Sequence, residues 1–270
     1  NTYCAGDTHK AAYIGSKAGE KMALTYRQNE ILKYLKIHKY AKIEQLAHAL
    51  YVSDATVRRD LTEMKKLGLL ERNHGGAVIL ESADEVAISV RQETNAPDKR
   101  ETVNIALGKL PRFKTVFIDN SSTALMCAQL LDLRNKTVIT NGLILAMELS
   151  KRENVSVIMP GGGLLYNTNS LTGPYAIRYL QDLRFSLMLC SCAALDLGGV
   201  YENSLEQSEI KRVAMKNSLN KVLLADKMKF GHNATYHTAE LREFNAIITN
   251  ADDGMLRPYR EIGGVNIFNK

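Results

Sequence analysis

The sequence predicts an α/β protein in two parts: an N-terminal winged helix-turn-helix, then a mostly parallel α/β domain. Three observations predict it. Residues 52–77, VSDATVRRDLTEMKKLGLLERNHGGA, read as a capped amphipathic helix followed by a short hairpin. From Pro111 onward, short apolar runs alternate with helical patterns, the pattern of a sheet covered on both faces. The charge is also uneven. The 270-residue chain carries a formal +6, and residues 22–80 hold ten Lys/Arg against six Asp/Glu, whereas residues 81–270 hold 22 against 21. A basic excess on the first part is what phosphate contacts and counterion release require. Apolar residues make up 45%, enough for a sizeable core in the near-neutral remainder.

Residues 1–21 have no initiating Met and no apolar run, and are expected to be a tag remnant or an extension without a fold. The first domain is expected to span residues 22–80. Ile31, Leu32 and Leu35 make a helical stripe; residues 41–43 are extended; residues 44–50 form a second helix with Ile43, Leu46, Ala47 and Leu50 inward. Ser53 is placed to cap the third helix through its hydroxyl, with Asp54 in the first turn, where the helix dipole favours an acid. Val57, Leu61, Met64 and Leu67 form its buried face, and Gly68 stops it. Residues 69–72 and 77–80 then flank the tight turn Asn73-His74-Gly75-Gly76. Roughly sixty residues is marginal for an isolated core, yet many such domains fold.

A helix and wing of this kind enter a DNA groove. The candidate DNA contacts are Ser53, Thr56, Arg58, Arg59 and Lys66 on the helix and Arg72, His74, Gly75 and Gly76 in the wing. An arginine can read guanine bidentately, although Arg59 and Asp60 fit an internal role equally well. One reading helix per chain implies a dimer or tetramer on paired half-sites.

Residues 81–97, with Ser, Asp, Glu, Asn and Pro97, read as a linker to a second domain over residues 98–270. A helix is expected over 98–110. Strands are expected at 116–118, 136–140, 155–159, 185–193, 221–225, 246–249 and 265–268, with helices at 122–131, 143–149, 174–180 and 208–218. In parallel sheets, ligands sit at the carboxyl ends of strands. There the sequence places Asp119, then Ser121, Ser122 and Thr123 opening a helix, where N–H groups and hydroxyls suit an anion. It also places Thr140-Asn141, the run Gly161-Gly162-Gly163 where backbone can approach a ligand, and Asp226 with Lys229. Singly, each also reads as an ordinary cap, turn or solvated charge.

The four cysteines, Cys4, Cys127, Cys190 and Cys192, form no C-x-x-C pair and show no zinc spacing. Small core residues and a reducing cytoplasm are expected, with no metal and no cofactor. No apolar run is long enough to span a membrane.

The motifs Val52-Ser53, Thr56-x-Arg58-Arg59-Asp60-Leu61, Leu67-Gly68-Leu69-Leu70 and Arg72-x-His74-Gly75-Gly76-Ala77 together resemble the DeoR family of bacterial transcription regulators. The resemblance continues through Arg91, Asn95 and Lys99 ahead of the helix of Ile105-Ala106, Asp119 to Thr123 (D-x-G-[ST]-T), Thr140-Asn141, Gly161-Gly162, the helix of Glu209, Lys211 and Arg212, and Leu224-Ala225-Asp226 with Lys229 and Phe230. It implies a sensor domain of ribose-5-phosphate-isomerase-like type. It also implies a repressor of a sugar-catabolic operon, not an enzyme, with double-stranded operator DNA as partner and a phosphorylated sugar as effector. Ser121 to Thr123 would hold the phosphate, helped by Lys229 or Lys211. Asp119, Asn141 and Asp226 would meet sugar hydroxyls, and Thr140, Gly161, Gly162 and Glu209 complete the expected set. Two departures stand out: Ser121 occupies a position usually glycine, and Leu189 to Ala194 replaces an F-x-G-x-x-G pattern. Two rival readings remain: an isomerase-like enzyme using Asp119, Glu209 and Lys229, and a DNA-binding protein without an effector.

Overall fold

The structure, a computed structural model, describes residues 24–38, 40–66, 69–73, 75–79 and 88–270. The expectations for residues 1–21, for a start at Met22, and for Leu67, Gly68 and His74 lie outside the described residues.

The first domain runs α1 (Tyr26–His38), β1 (Tyr40–Lys42), α2 (Ile43–Leu50), α3 (Asp54–Lys66), β2 (Leu70–Asn73) and β3 (Gly76–Ile79). Ile31, Leu35, Leu46, Val57, Leu61 and Met64 are fully buried, the helical faces expected from their spacing. Ser53 Oγ accepts from Thr56 N at 3.3 Å, which caps α3. The wing is three-stranded, order β1-β3-β2, because β1 pairs with β3 through Ala41 and Ala77. Gly76 is needed there: a Cβ would collide with the Ala41 carbonyl and the Tyr40 ring. Asp60 is not a surface acid of α3. It is buried and takes both Nε and Nη2 of Arg27 on α1, the latter at 3.1 Å.

The stretch expected to be linker contains a helix, α4 (Ile88–Glu93). Val90 joins the buried cluster of the first domain, while Ile88 N donates to Asn167 O at 3.2 Å in the second. Asn95, in the left-handed region at φ 53°, turns the chain into α5 (Ala96–Leu107).

The second domain then follows as β4 (Thr115–Ile118), α6 (Ser122–Leu130), β5 (Lys136–Thr140), α7 (Leu143–Leu149), β6 (Val155–Ile158), β7 (Gly163–Leu165), β8 (Ser170–Thr172) and α8 (Pro174–Gln181). After these come β9 (Phe185–Cys190), β10 (Ala194–Asp196), β11 (Gly199–Glu202), α9 (Leu205–Lys216), β12 (Ser218–Leu224), β13 (Tyr236–Ala239), β14 (Ala246–Ile248), α10 (Asp253–Glu261) and β15 (Asn266–Phe268). The main sheet has seven parallel strands in the order β15-β14-β12-β9-β4-β5-β6. Its strands read as continuous apolar runs because both faces are covered. One face packs around Phe117, Phe185 and Met188, the other around Val116, Ile118 and Leu189.

Several elements were not expected from the sequence: β7, β8, β10, β11, β13 and α10. The strands among them are three or four residues long, too short for alternation to register, and α10 carries Pro258 in its interior. The strand expected to run to Ala193 ends at Cys190. Replacing Asp60 with alanine should leave Arg27 without its partner at a half-buried site and lower stability by about 1–2 kcal/mol. Urea unfolding measures this, and an unchanged midpoint would contradict the role given to the pair.

Candidate functional site

On α3, Arg58, Arg59 and Lys66 are exposed, and their side chains have no partner among the described residues. Ser53 and Thr56 share a hydroxyl contact at 2.9 Å at the helix start. Arg72 on the wing donates from Nη1 to Thr62 Oγ1 at 2.7 Å, and Thr62 in turn donates to Arg58 O at 2.7 Å. The wing is thereby fastened to the outer face of α3. Gly75 sits exposed at the turn with φ +90°, a conformation that favours glycine. Gly76 is buried, so it shapes the wing and offers no surface to DNA.

The second site lies where the sheet changes direction. Strand order grows from β4 through β5 to β6 on one side and from β9 through β12, β14 and β15 on the other. The loops after β4 and β9 therefore diverge and leave a crevice, the usual ligand position in such sheets. Asn120 to Thr123 and Ser191 to Ala193 line a cavity of about 300 Å³ there. Lys99, Glu202, Gln207, Lys211 and Lys229 complete its polar wall. Its far wall comes from the other domain and α4: Leu32, Leu69, Val90 and Arg91.

Ser121 is the cap of α6. Its Oγ accepts from Ala124 N at 3.3 Å and donates to Asp119 Oδ1 at 2.5 Å. The other Asp119 oxygen meets Lys211 Nζ at 2.9 Å and accepts from Ser191 N at 3.4 Å. Lys211 also pairs with Glu202 and donates to Ser191 O at 2.7 Å. Burial pushes the Lys211 ammonium down, but Asp119 and Glu202 outweigh it and raise its pKa well above the ordinary lysine value. Asp119 and Lys211 thus satisfy each other and organise the loops rather than reaching for a ligand.

Of the expected effector residues, the structure brings Ser121, Ser122, Thr123, Lys211 and Lys229 to the cavity wall. Asn141 stands one step behind, its Nδ2 3.3 Å from Gln207 Oε1. Asp226 is buried, takes Met228 N at 3.1 Å on one oxygen and leaves the other without a partner among the described residues. Thr140 Oγ1 is used by Gly142 N at 3.0 Å. Glu209, Gly161 and Gly162 are not part of the wall. The glycine run instead starts the β7–β8 hairpin: a Cβ on Gly162, at φ +104°, would collide with the Thr172 carbonyl, so its close approach is to backbone and not to a ligand.

Sequence reasoning missed Lys99, Asn120 and Gln207. Arg91, Asn95 and Lys99, spaced by four, belong to the family pattern ahead of the helix of Ile105 and Ala106, but the resemblance gives them no place in the expected effector set. Lys99 is buried, and its Nζ donates to Ser122 Oγ at 3.0 Å, to Thr94 O at 2.7 Å and to Arg91 O. Burial, with the charge of Lys229 next, pushes the Lys99 pKa down to about 7; Asp226 opposes this and Arg91 adds to it. Asn120 is buried on the wall with its Nδ2 unpartnered among the described residues. An unpaired buried donor beside a helix N-terminus points to an acceptor that arrives with a ligand. Cys192 also lines the cavity, but burial raises its thiol to about 12, which removes it as a nucleophile at neutral pH.

Comparison with known proteins gives a consistent picture. Residues 27–83 match the description "DeoR-like helix-turn-helix domain" and residues 94–251 match "DeoR C terminal sensor domain". The chain is 32% identical to the uncharacterized HTH-type transcriptional regulator YulB of Bacillus subtilis, over 85% of this chain and 90% of that one. It is 28% identical to the glycerol-3-phosphate regulon repressor of Escherichia coli, over 85% and 92%. It is 31% identical to the L-fucose operon activator of Haemophilus influenzae, over 84% and 92%.

Two outcomes test this geometry. Lys211→Met should strand two buried carboxylates and destabilise the protein by about 3–5 kcal/mol in urea unfolding; a loss within experimental error would contradict the buried cluster. For Lys99, the folded pKa lies below the unfolded value, so the unfolded chain binds more protons between about pH 7 and about pH 10. The stability of the wild type relative to Lys99→Met should therefore rise with pH across that window, by at most about 1.4 kcal/mol per unit. A flat difference would show that Lys99 titrates normally.

Proposed function

Because the chain belongs to the DeoR family of transcription regulators, we propose that it represses a sugar-catabolic operon and releases operator DNA when a phosphorylated sugar fills the switch-point cavity. One observation carries the second half of this reading. Leu32 and Leu69, from the core of the DNA-reading domain, line the same cavity as Ser121 to Thr123. A ligand there touches both domains, so it has differential contacts with which to bias their arrangement. The printed names of two relatives, a glycerol-3-phosphate regulon repressor and an L-fucose operon activator, support a sugar-related effector.

In this reading, α3 enters the major groove and the wing lies along the backbone. Arg58, Arg59 and Lys66 supply phosphate or base contacts, and Arg72 keeps the wing against α3. The phosphate sits at the N-terminus of α6 on Ser122 and Thr123 with Lys229, and Asn120 Nδ2 meets a ligand oxygen. Two copies of the chain are needed to read paired half-sites, and the cytoplasm is where such DNA is met.

The enzyme reading is disfavoured by the same geometry. A general base must reach a substrate proton. Asp119 is held by Ser121, Ser191 and Lys211, Glu209 is away from the cavity wall, and Lys229, which does reach the wall, donates its Nζ to Ala193 O at 3.3 Å.

Gel shifts with DNA flanking the protein's own gene, with and without a panel of phosphosugars and their unphosphorylated counterparts, test the proposal. Binding that a phosphosugar abolishes and the free sugar does not is the expected result. Absence of binding to any such DNA would sink the regulator reading, and indifference to every phosphosugar would leave the effector-free alternative. Arg58→Ala and Arg59→Ala should each weaken operator binding roughly tenfold and lower the salt dependence by about one charge if they contact phosphate. Turnover of a pentose or hexose phosphate by the purified protein would overturn the non-enzymatic reading.

A further inference from the structure

We infer that Lys99 couples the cavity to the DNA-reading domain: its ammonium clasps the end of α4, and an anion at the α6 N-terminus draws it off. The inference rests on the reading of the cavity as a phosphate site given above, and adds the residue and the route by which that site acts.

The clasp is built from three acceptors. A lysine ammonium has three donors. All three are committed here, to Arg91 O and Thr94 O at the end of α4 and to Ser122 Oγ in the first turn of α6. The last carbonyls of a helix lack partners within the helix, and a cation there is favoured by the dipole as well. α4 has only six residues, too few to stand on propensity alone, so the clasp supplies a substantial part of what holds it.

α4 is also the piece that joins the two domains. Its first residue, Ile88, is tied by its N–H to Asn167 of the second domain. Val90, two residues on, is fully packed into the core of the first, with Ile31, Leu35 and Leu61. Moving α4 therefore moves Val90 or opens its packing.

A phosphate monoester at the N-terminus of α6 competes for the same ammonium. Its ionised oxygens add a full charge–charge attraction to the ammonium, which the dipole of a neutral carbonyl does not supply at the same distance. Two independent features point to an anion in that place: the backbone N–H groups of α6, and the buried, unpartnered Asn120 Nδ2 on the same wall. The flexible lysine stem lets Nζ swing toward the cavity, and each step it takes removes charge from the Arg91 and Thr94 carbonyls. Burial lowers the Lys99 pKa to about 7, and an arriving anion favours its charged form. Lys229, facing the cavity from the segment after β12, completes the anion's cationic surroundings and is relieved of repulsion from Lys99 by the same event.

The test is hydrogen–deuterium exchange on the full chain, with inorganic phosphate and with glycerol 3-phosphate as probes, against chloride at equal ionic strength. Bound phosphate should slow exchange at residues 122–125 and speed it at residues 90–95, roughly tenfold or more, the size expected for losing charge-assisted hydrogen bonds. Lys99→Met should show the fast α4 exchange without any phosphate and no further response. Should that variant not fold, Lys99→Gln serves instead: without the charge it holds the α4 carbonyls weakly, so basal α4 exchange should be fast and unresponsive to phosphate, and slow basal exchange in it would overturn the coupling role. Protection at 122–125 with α4 unchanged would overturn the coupling role and leave the phosphate reading standing. Slow α4 exchange in folded Lys99→Met would overturn it as well. No protection at 122–125 with either probe would overturn the phosphate reading itself, and this inference with it.

Discussion

A single buried ion cluster holds the switch point open. Asp119 follows β4, Ser191 follows β9 and Glu202 ends β11, and all three meet at the ammonium of Lys211 on α9. Two carboxylates and one amine out of water are costly unless their lone pairs and protons are satisfied. Here Ser121 and the Ser191 backbone supply the remaining bonds. The cluster sets the direction of both loops that line the cavity, and the hydroxyl of Ser121 is drawn down onto Asp119. The α6 N-terminus is left facing the crevice with Ser122 and Thr123 as its side-chain lining.

The cavity has a second wall that the sheet does not supply. Leu32, Leu69 and Val90 close it from the side of the DNA-reading domain, and Arg91 and Lys99 add charge at the seam. A ligand in a pocket built from two domains would bias their relative position, because packed surfaces have a few discrete arrangements and resist continuous deformation. The reading helix itself is rigidly held: Asp60 fixes it to α1 through Arg27, and Arg72 fixes the wing to it through Thr62. Rigidity within the reader and a small helix at the joint together favour whole-domain motion over distortion of α3.

Much of this was legible in the sequence. The helical stripes of the reader, its capping Ser53 and its hairpin came from spacing and turn chemistry, and all seven strands of the main sheet stood out as apolar runs. What the sequence hid was of two kinds. Short elements such as β7, β8, β10 and β11 bury few side chains, so no period marks them. Side chains matched to a site by pattern were in part structural: Lys211 and Asp119 are consumed by each other, Gly162 serves a hairpin, and Gly76 serves a strand contact. Lys99 was passed over for the opposite reason. Its partners are backbone carbonyls eight and five residues upstream and a hydroxyl 23 residues downstream, and α4 lay in a stretch whose polar composition resembled a linker. Of the two departures from the family pattern, Ser121 and the stretch Ser191 to Ala193 lie on the cavity wall.

On the proposed reading, cavity and reading domain share one equilibrium. Thermodynamic linkage makes this measurable without knowing the path between them. Titration calorimetry of the releasing phosphosugar, into the free protein and into the protein saturated with its operator, tests it most directly. Effector binding should be weaker in the operator complex, by the same factor by which the effector weakens operator binding. Equal affinities in the two titrations would contradict it.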